Sequence, residues 1–299
     1  PIAVEPPRRW KSAMPGFVEQ LSKSRRFQGQ LTTQQLTSSL ADLEDLDKTS
    51  EKKKTTGSLL IFGGIVLLVV GVVVAFGVEM PMLGGACAIA GIGIVIWGII
   101  IRSAAGRTDF EDRRYQLLGQ LTRLLSADMD PDATIDVQLD LDKVNAGNKL
   151  VRKGKAGPWN VKFYEDTWLS LRGQLLDGTR FTVSLTEKHQ DRSRTKRSAS
   201  GKLKHKSKTK SGVLAIVSLK PKEKRYPNAG QLGAQARGAV QLPQMVELKD
   251  LSTRDNVLTL KAASKTGWTV ESGVQLLSQM LLSLYQVLNL SRQIDKAQS

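Results

Sequence analysis

The sequence predicts an α+β architecture: a two-helix transmembrane hairpin, and a cytoplasmic antiparallel sheet covered by helices from which a long basic β-hairpin protrudes. Three observations predict it. Two apolar runs of about 20 residues, enough to cross a bilayer as helices, lie back to back at Ser58–Val78 and Pro81–Ile101. Segments of alternating polarity such as "TIDVQLDL" precede a long amphipathic pattern that starts near Val270. Residues 188–210 hold ten Lys or Arg and one acid, Asp191, between two strand-like segments.

The chain has 299 residues, 44 of them basic and 28 acidic, for a formal charge of +16. Its length suits one or two domains. The charge is unevenly spread: from Gly57 to Ile101 Glu79 is the only charged residue. The single cysteine, Cys87, lies in that apolar block and excludes an intrachain disulfide framework. The first residues carry no apolar core of the secretory-signal type, so none is expected there. The organisation expected is an extended or disordered segment at 1–31, an amphipathic cytoplasmic helix at 32–54, a transmembrane helical hairpin at 57–101, and a cytoplasmic α+β domain at 102–299 with its basic arm at 188–210.

The first 16 residues contain four prolines and no helical period, hence the expectation of an irregular start. Thr32 and Gln35 then have capping-box spacing, and Leu36, Leu40, Leu43 and Leu46 recur at helical intervals. The polar face ends in "DLEDLD", which disfavours binding to an anionic membrane surface.

Only Glu79 and Met80 separate the two apolar runs, and Pro81 suits a first helical position. Lys52, Lys53 and Lys54 precede the first run; Arg102, Arg107, Arg113 and Arg114 follow the second. The positive-inside rule therefore places both termini in the cytoplasm, with Trp97 near the inner interface. The small-residue pairs Gly71/Ala75, Gly84/Ala88 and Ala86/Ala90 are read as packing between the two helices of the hairpin; homo-oligomerisation is the competing use. No ionisable side chain lies mid-span, so an ion pathway has no candidate residue.

Thr108 and Glu111 repeat the capping-box spacing ahead of a helix bearing Phe110, Leu117, Leu118, Leu121, Leu124 and Leu125. Ile135, Val137, Leu139 and Leu141 alternate as one strand face. Residues 159–187 read as two or three strands, with Asp177-Gly178 as a hairpin turn. Val213–Lys220 and Asn256–Ala262 are further strands, and Pro221–Leu242 is a long connection with a short helix near Gln231–Arg237. In the last helix Val270, Val274, Leu277, Leu281, Leu284 and Leu288, widened by Leu276, Met280 and Val287, form a stripe broad enough to be largely buried.

The basic arm carries the candidate partner-binding residues: Lys188, Arg192, Arg194, Lys196 and Arg197 before an expected turn at Ser198–Gly201, and Lys202, Lys204, Lys206, Lys208 and Lys210 after it. Arg192, Arg194 and Lys196 share one parity, as do the five lysines. Period two is strand period, so a continued ribbon lines up basic rows. The competing reading is a solvated loop, because like charges repel and bury nothing. An acidic protein surface in a larger assembly and anionic lipid are the partners expected with equal weight. Nucleic acid ranks third, because the arm has no aromatic residue on which a base could stack.

No catalytic, cofactor or metal site is expected. His189 and His205 lie in the arm, where they are expected to face each other with neither a carboxylate nor a cysteine nearby, a poor metal site. Asp128, Asp130, Asp132 and Asp136 resemble the start of a calcium loop. Ala133 replaces its glycine and Leu139 its closing glutamate, so an acidic turn is expected instead. "AASKTG" lacks the glycine spacing of a phosphate loop. Trp159 and Trp168 are expected in the core. The function expected is non-enzymatic: a membrane-anchored adaptor or scaffold that holds an acidic partner or complex at the membrane face. The alternatives are a membrane-remodelling hairpin that binds anionic lipid, and a membrane tether for nucleic acid.

Overall fold

The structure, a computed structural model, describes residues 16–77, 80–106, 110–198, 201–226 and 237–298. It has two compact units, one comprising the chain up to Ser38 and from Glu111 onward, the other Ser39–Phe110.

The first unit is built on an eight-stranded antiparallel sheet, so the α+β expectation is met. Its strands are β1 (Arg26–Thr32), β2 (Thr134–Asp140), β3 (Leu150–Ala156), β4 (Trp159–Gln174), β5 (Arg180–Arg197), β6 (Leu203–Lys220), β7 (Val246–Arg254) and β8 (Val257–Ser264). They lie in the order β1-β2-β4-β5-β6-β8-β7, and β3 also pairs with β4. β4 is long enough to have two neighbours on one edge. Its C-terminal half pairs with β2 (Leu139↔Leu169) and its N-terminal half with β3 (Ala156↔Trp159).

One sheet face is apolar because the strands alternate. Ile135, Val137, Leu169, Leu171, Phe181, Val183, Leu185, Ala215, Val217, Leu258 and Leu260 are all buried. The helix α5 (Val270–Gln298) lies against β6 and β8, and α4 (Asp112–Ser126) packs on α5. They contribute Leu117, Leu118, Leu121, Leu277, Met280, Leu284 and Leu288 to the core. Leu124, expected on the buried side of α4, is half exposed. The opposite sheet face is polar, with Gln28 opposite Gln138, Arg172 opposite Thr182 and Ser218 opposite Thr259.

Local chemistry sets the element ends. Thr32 N–H donates to Gln35 Oε1 (3.1 Å) and Gln35 N–H to Thr32 Oγ1 (3.2 Å), the reciprocal box expected from the spacing. Thr269 and Ser272 exchange a similar pair ahead of α5. Gly178 adopts φ +82° in the β4–β5 turn, a conformation that costs glycine little. Asp177 anchors that turn by accepting from Thr179, Tyr226 and Tyr285. Burial, and then the Asp177 carboxylate, hold the Tyr285 phenol well above its ordinary range, so it remains a donor.

Several expectations are corrected. Residues 17–31 are regular: α1 (Phe17–Ser24) precedes β1, and Phe17 packs on Phe27 at 4.6 Å. The helix from Thr33 does not stop before the apolar run; α2 runs unbroken from Thr33 to Gly77. The separate helix at 32–54 and the hairpin at 57–101 therefore share one element, because Thr55, Thr56 and Ser58 bond back to the carbonyls of Glu51, Lys52 and Lys54 instead of capping a new helix. Helix α4 starts after Glu111 without a side-chain cap, and Thr108 lies outside the described residues. So do residues 1–15 and 227–236, which include most of the short helix expected near Gln231–Arg237.

In the second unit α2 packs antiparallel on α3 (Pro81–Gly106), and Pro81 is the first helical residue. Both helices are long and apolar enough to cross a membrane. They meet along glycines spaced by seven: Gly57, Gly64 and Gly71 on α2, and Gly84, Gly91 and Gly98 on α3. A Cβ on Gly91 would lie 2.8 Å from Gly64 O and from Leu68 N; one on Gly71 would lie 2.7 Å from Ala88 N. Seven-residue spacing keeps one face of each helix on the other, as in a coiled coil. Gly71, Ala75, Gly84 and Ala88 belong to this seam, whereas Ala86 and Ala90 are exposed and do not.

Candidate anion-binding face

The site is built by strand register. β5 and β6 stay paired from Arg180↔Lys220 out to Arg197↔Leu203. Residues opposite each other in an antiparallel pair share a face. Arg192 is opposite Lys208, Arg194 opposite Lys206, and Lys196 opposite Lys204. The two basic rows read from the sequence therefore lie on the same face of the sheet. Lys188 and Lys210 continue it inward, Lys188 opposite Gly212 and Lys210 opposite Gln190. Arg197 falls on the other face, opposite Leu203, and Lys202 lies just before β6.

Two further strands join this part of the sheet. β4 pairs with β5 as far as Asn160↔Ser193, and β3 pairs with β4. Up to Ser193 the basic segment is thus the edge of a four-stranded sheet, and only its last residues form a two-stranded ribbon. The register gives the basic face an apolar floor. Val161 is opposite Arg192 and buried, and Phe163 is opposite Gln190. Trp159 is two residues before Val161 on the same face. The Arg194 guanidinium lies 4.5 Å over the Trp159 ring, Lys208 Nζ 5.9 Å from it, and Arg152 4.5 Å over Phe163. Trp159 is therefore a surface platform, which corrects its expected place in the core. Trp168 is buried as expected, stacked on Trp268 at 5.2 Å.

These cations are not neutralised within the sheet. Among the described residues no carboxylate lies within ion-pair distance of Arg192, Arg194, Lys196, Lys204, Lys206, Lys208 or Lys210. Lys188 pairs with Glu165 at 3.5 Å. The Nε–H groups of Arg192 and Arg194 are shielded from solvent and lack an acceptor. At the inner end, a depression of about 660 Å³ is lined by Arg152, Phe163, Lys188, Gln190, Lys210 and Lys265, among others.

A buried ionic cluster fixes the base of this face. Asp166 and Glu187 lie directly opposite each other across β4 and β5, where two like charges repel. Arg114 enters from α4 and bridges them, at 2.8 Å from Asp166 and 3.0 Å from Glu187. It also donates to the backbone oxygens of Asp140 and Asp142. Lys149 adds a second buried cation, 2.7 Å from Asp166 and 3.2 Å from Asp140. Arg113 pairs with Glu111 and lies over Trp268. Arg113 and Arg114, expected as cations flanking a membrane span, are both paired, and Arg114 is wholly buried. The local sequence supplies only Glu111; Asp166 and Glu187, which hold Arg114 in its buried place, come from strands far along the chain.

The histidines of the arm each bond within their own strand pair. His189 lies opposite Ser211 and bonds Asp191 at 2.9 Å; His205 lies opposite Thr195 and bonds it at 3.0 Å. The two histidines do not face each other, and His189 has a carboxylate beside it, which corrects both expectations. Cys87 lies in α3, in the other unit. Asp130 closes an Asx turn with Asp132 N–H in the α4–β2 connection. No protein-family model, curated protein or solved structure matches the chain.

Proposed function

We propose that this chain is a membrane-anchored, non-enzymatic adaptor or scaffold. It docks a strongly anionic partner on the face formed by Arg192, Arg194, Lys196, Lys204, Lys206 and Lys208. The observation that carries this reading is the register: two basic rows, separated in sequence by a turn, coincide on one face and lack internal counter-charges. Self-repulsion of such rows is a standing cost to the fold, and an anionic partner removes it.

The membrane part of the proposal rests on exposed apolar side chains. Leu59, Phe62, Phe76, Ile89 and Trp97 are each more than half exposed, and only 11% and 17% of the two apolar windows is buried. A core helix of a water-soluble protein has its apolar side chains covered. Here the glycine seam is covered and the large side chains face outward, an arrangement suited to lipid. The apolar parts of α2 and α3 form the transmembrane hairpin. Both termini are cytoplasmic, on the strength of Lys52, Lys53, Lys54 and Arg102.

The test uses the full chain in nanodiscs of zwitterionic lipid, bound to immobilised heparin as a generic polyanion. The wild-type protein is expected to need markedly more salt for elution than a variant with Ser at Arg192, Arg194, Lys196, Lys204, Lys206 and Lys208. Co-elution of the two proteins contradicts the docking face.

A further inference from the structure

We infer that the docking face takes single-stranded nucleic acid, with Trp159 and the Arg194 guanidinium as its base-stacking element. This rests on the anion-docking reading and narrows it to one partner class. The basic segment contains no aromatic residue, yet the sheet register supplies two from β4, Trp159 and Phe163. Single-strand binders combine cations that track a backbone with aromatic rings that accept any base. Both components lie on one face here. Along β6 the lysines repeat every second residue, about 7 Å apart, and the run Leu203–Lys210 is about 27 Å long. Guanidinium planes stack on bases as aromatic rings do, and those of Arg194 and Arg152 already lie 4.5 Å over Trp159 and Phe163. The Arg192 and Arg194 guanidinium groups, paired with no carboxylate among the described residues, are cations of the type that phosphate oxygens accept from. The depression at the inner end falls within the ~300–1,000 Å³ range of small-ligand sites and can hold a terminal nucleotide.

An acidic protein surface or a lipid headgroup layer satisfies the cations but leaves the stacked Trp159–Arg194 pair without a partner. A flat lipid surface also meets one sheet face, whereas Lys153 and Lys162, paired on the opposite face, are exposed cations as well. Few side chains on the docking face can read base edges, so binding is expected to discriminate weakly among sequences.

The experiment measures binding to the full chain in zwitterionic nanodiscs by fluorescence anisotropy. The probes are an oligothymidylate of about twelve nucleotides and an abasic strand of equal length, with polyglutamate and phosphatidylglycerol vesicles as competitors. The thymidylate is expected to bind about tenfold tighter than the abasic strand. Trp159→Leu is expected to abolish that preference, and Trp159→Phe to retain most of it. Lys206→Ser with Lys208→Ser is expected to lower the salt slope by about 1.4, from about 0.7 per phosphate contact on single strands. Equal binding of the two strands, with Trp159→Leu silent, overturns the nucleic-acid inference and leaves anion docking standing. Binding of polyglutamate or vesicles without either strand has the same consequence. Failure of every polyanion to bind overturns both.

Discussion

Arg114→Met is expected to destabilise the sheet unit by about 3–5 kcal/mol, the cost of removing the buried cation that bridges two buried carboxylates. The Arg114 side chain is 0% exposed, and those of Asp166 and Glu187 are 3% and 4% exposed. The two carboxylates are direct neighbours across the β4–β5 ladder. Lys149 reaches Asp166 at 2.7 Å and Arg113 reaches Glu187 at 3.8 Å, but neither bridges the two carboxylates. Methionine fills much of the arginine volume and removes the one cation that holds both anions in a low-dielectric site. Arg113→Met serves as the control. That side chain is 41% exposed and reaches the buried Glu187 only at 3.8 Å, so a smaller change, about 1 kcal/mol, is expected. Urea unfolding followed by tryptophan fluorescence reads both variants, because Trp168 and Trp268 stack beside the cluster. Equal losses for the two variants contradict this assignment. Glu187 adjoins Lys188, so the same substitution is expected to raise amide exchange at the inner end of the docking face.

Gly91→Val is the second severe substitution. Its Cβ would meet backbone atoms of α2 at 2.8 Å, and backbone cannot step aside as a side-chain tip can. The helices must separate along the whole glycine seam, at an expected cost of about 3 kcal/mol. Gly93→Val, two residues away, provides a matched comparison, because nothing lies within 4 Å of the added carbon. Titration with sodium dodecyl sulfate in mixed micelles should unfold the Gly91 variant well before the Gly93 variant. Coincident transitions would show that the seam does not hold α2 to α3.

Elements whose stability is local were legible in the sequence. The Thr32–Gln35 box, Pro81 at a helix start, the Asp177-Gly178 turn and the apolar stripe of α5 all sit where their residue types demand. The strands that were missed bury little. Every residue of β3 after Leu150 is exposed, and β7 alternates only weakly, so backbone pairing with β4 and β8 defines them rather than an apolar pattern. β1 is a different case: Phe27, Gly29 and Leu31 alternate, but the proline-rich residues before it drew the reading toward disorder. The glycine seam repeats every seven residues, a spacing that small-residue pairs four apart do not mark. At the docking face, the basic parity was visible in the sequence. The aromatic floor was not, because Trp159 and Phe163 reach Arg192 and Arg194 only through the β4–β5 register.

A variant of unchanged charge separates a surface from mere basicity. Lys206→Ser with Ser207→Lys, and Lys208→Thr with Thr209→Lys, keep the formal charge at +16 and move two ammonium groups to the other side of β6. The measurement is the affinity of the full chain, in zwitterionic nanodiscs, for the oligothymidylate and for heparin as salt is varied. Affinity close to that of a variant lacking both lysines is expected, because the charges no longer lie beside Arg192, Arg194 and Trp159. Wild-type affinity in the exchanged variant would contradict it, leaving net charge alone as the source of binding.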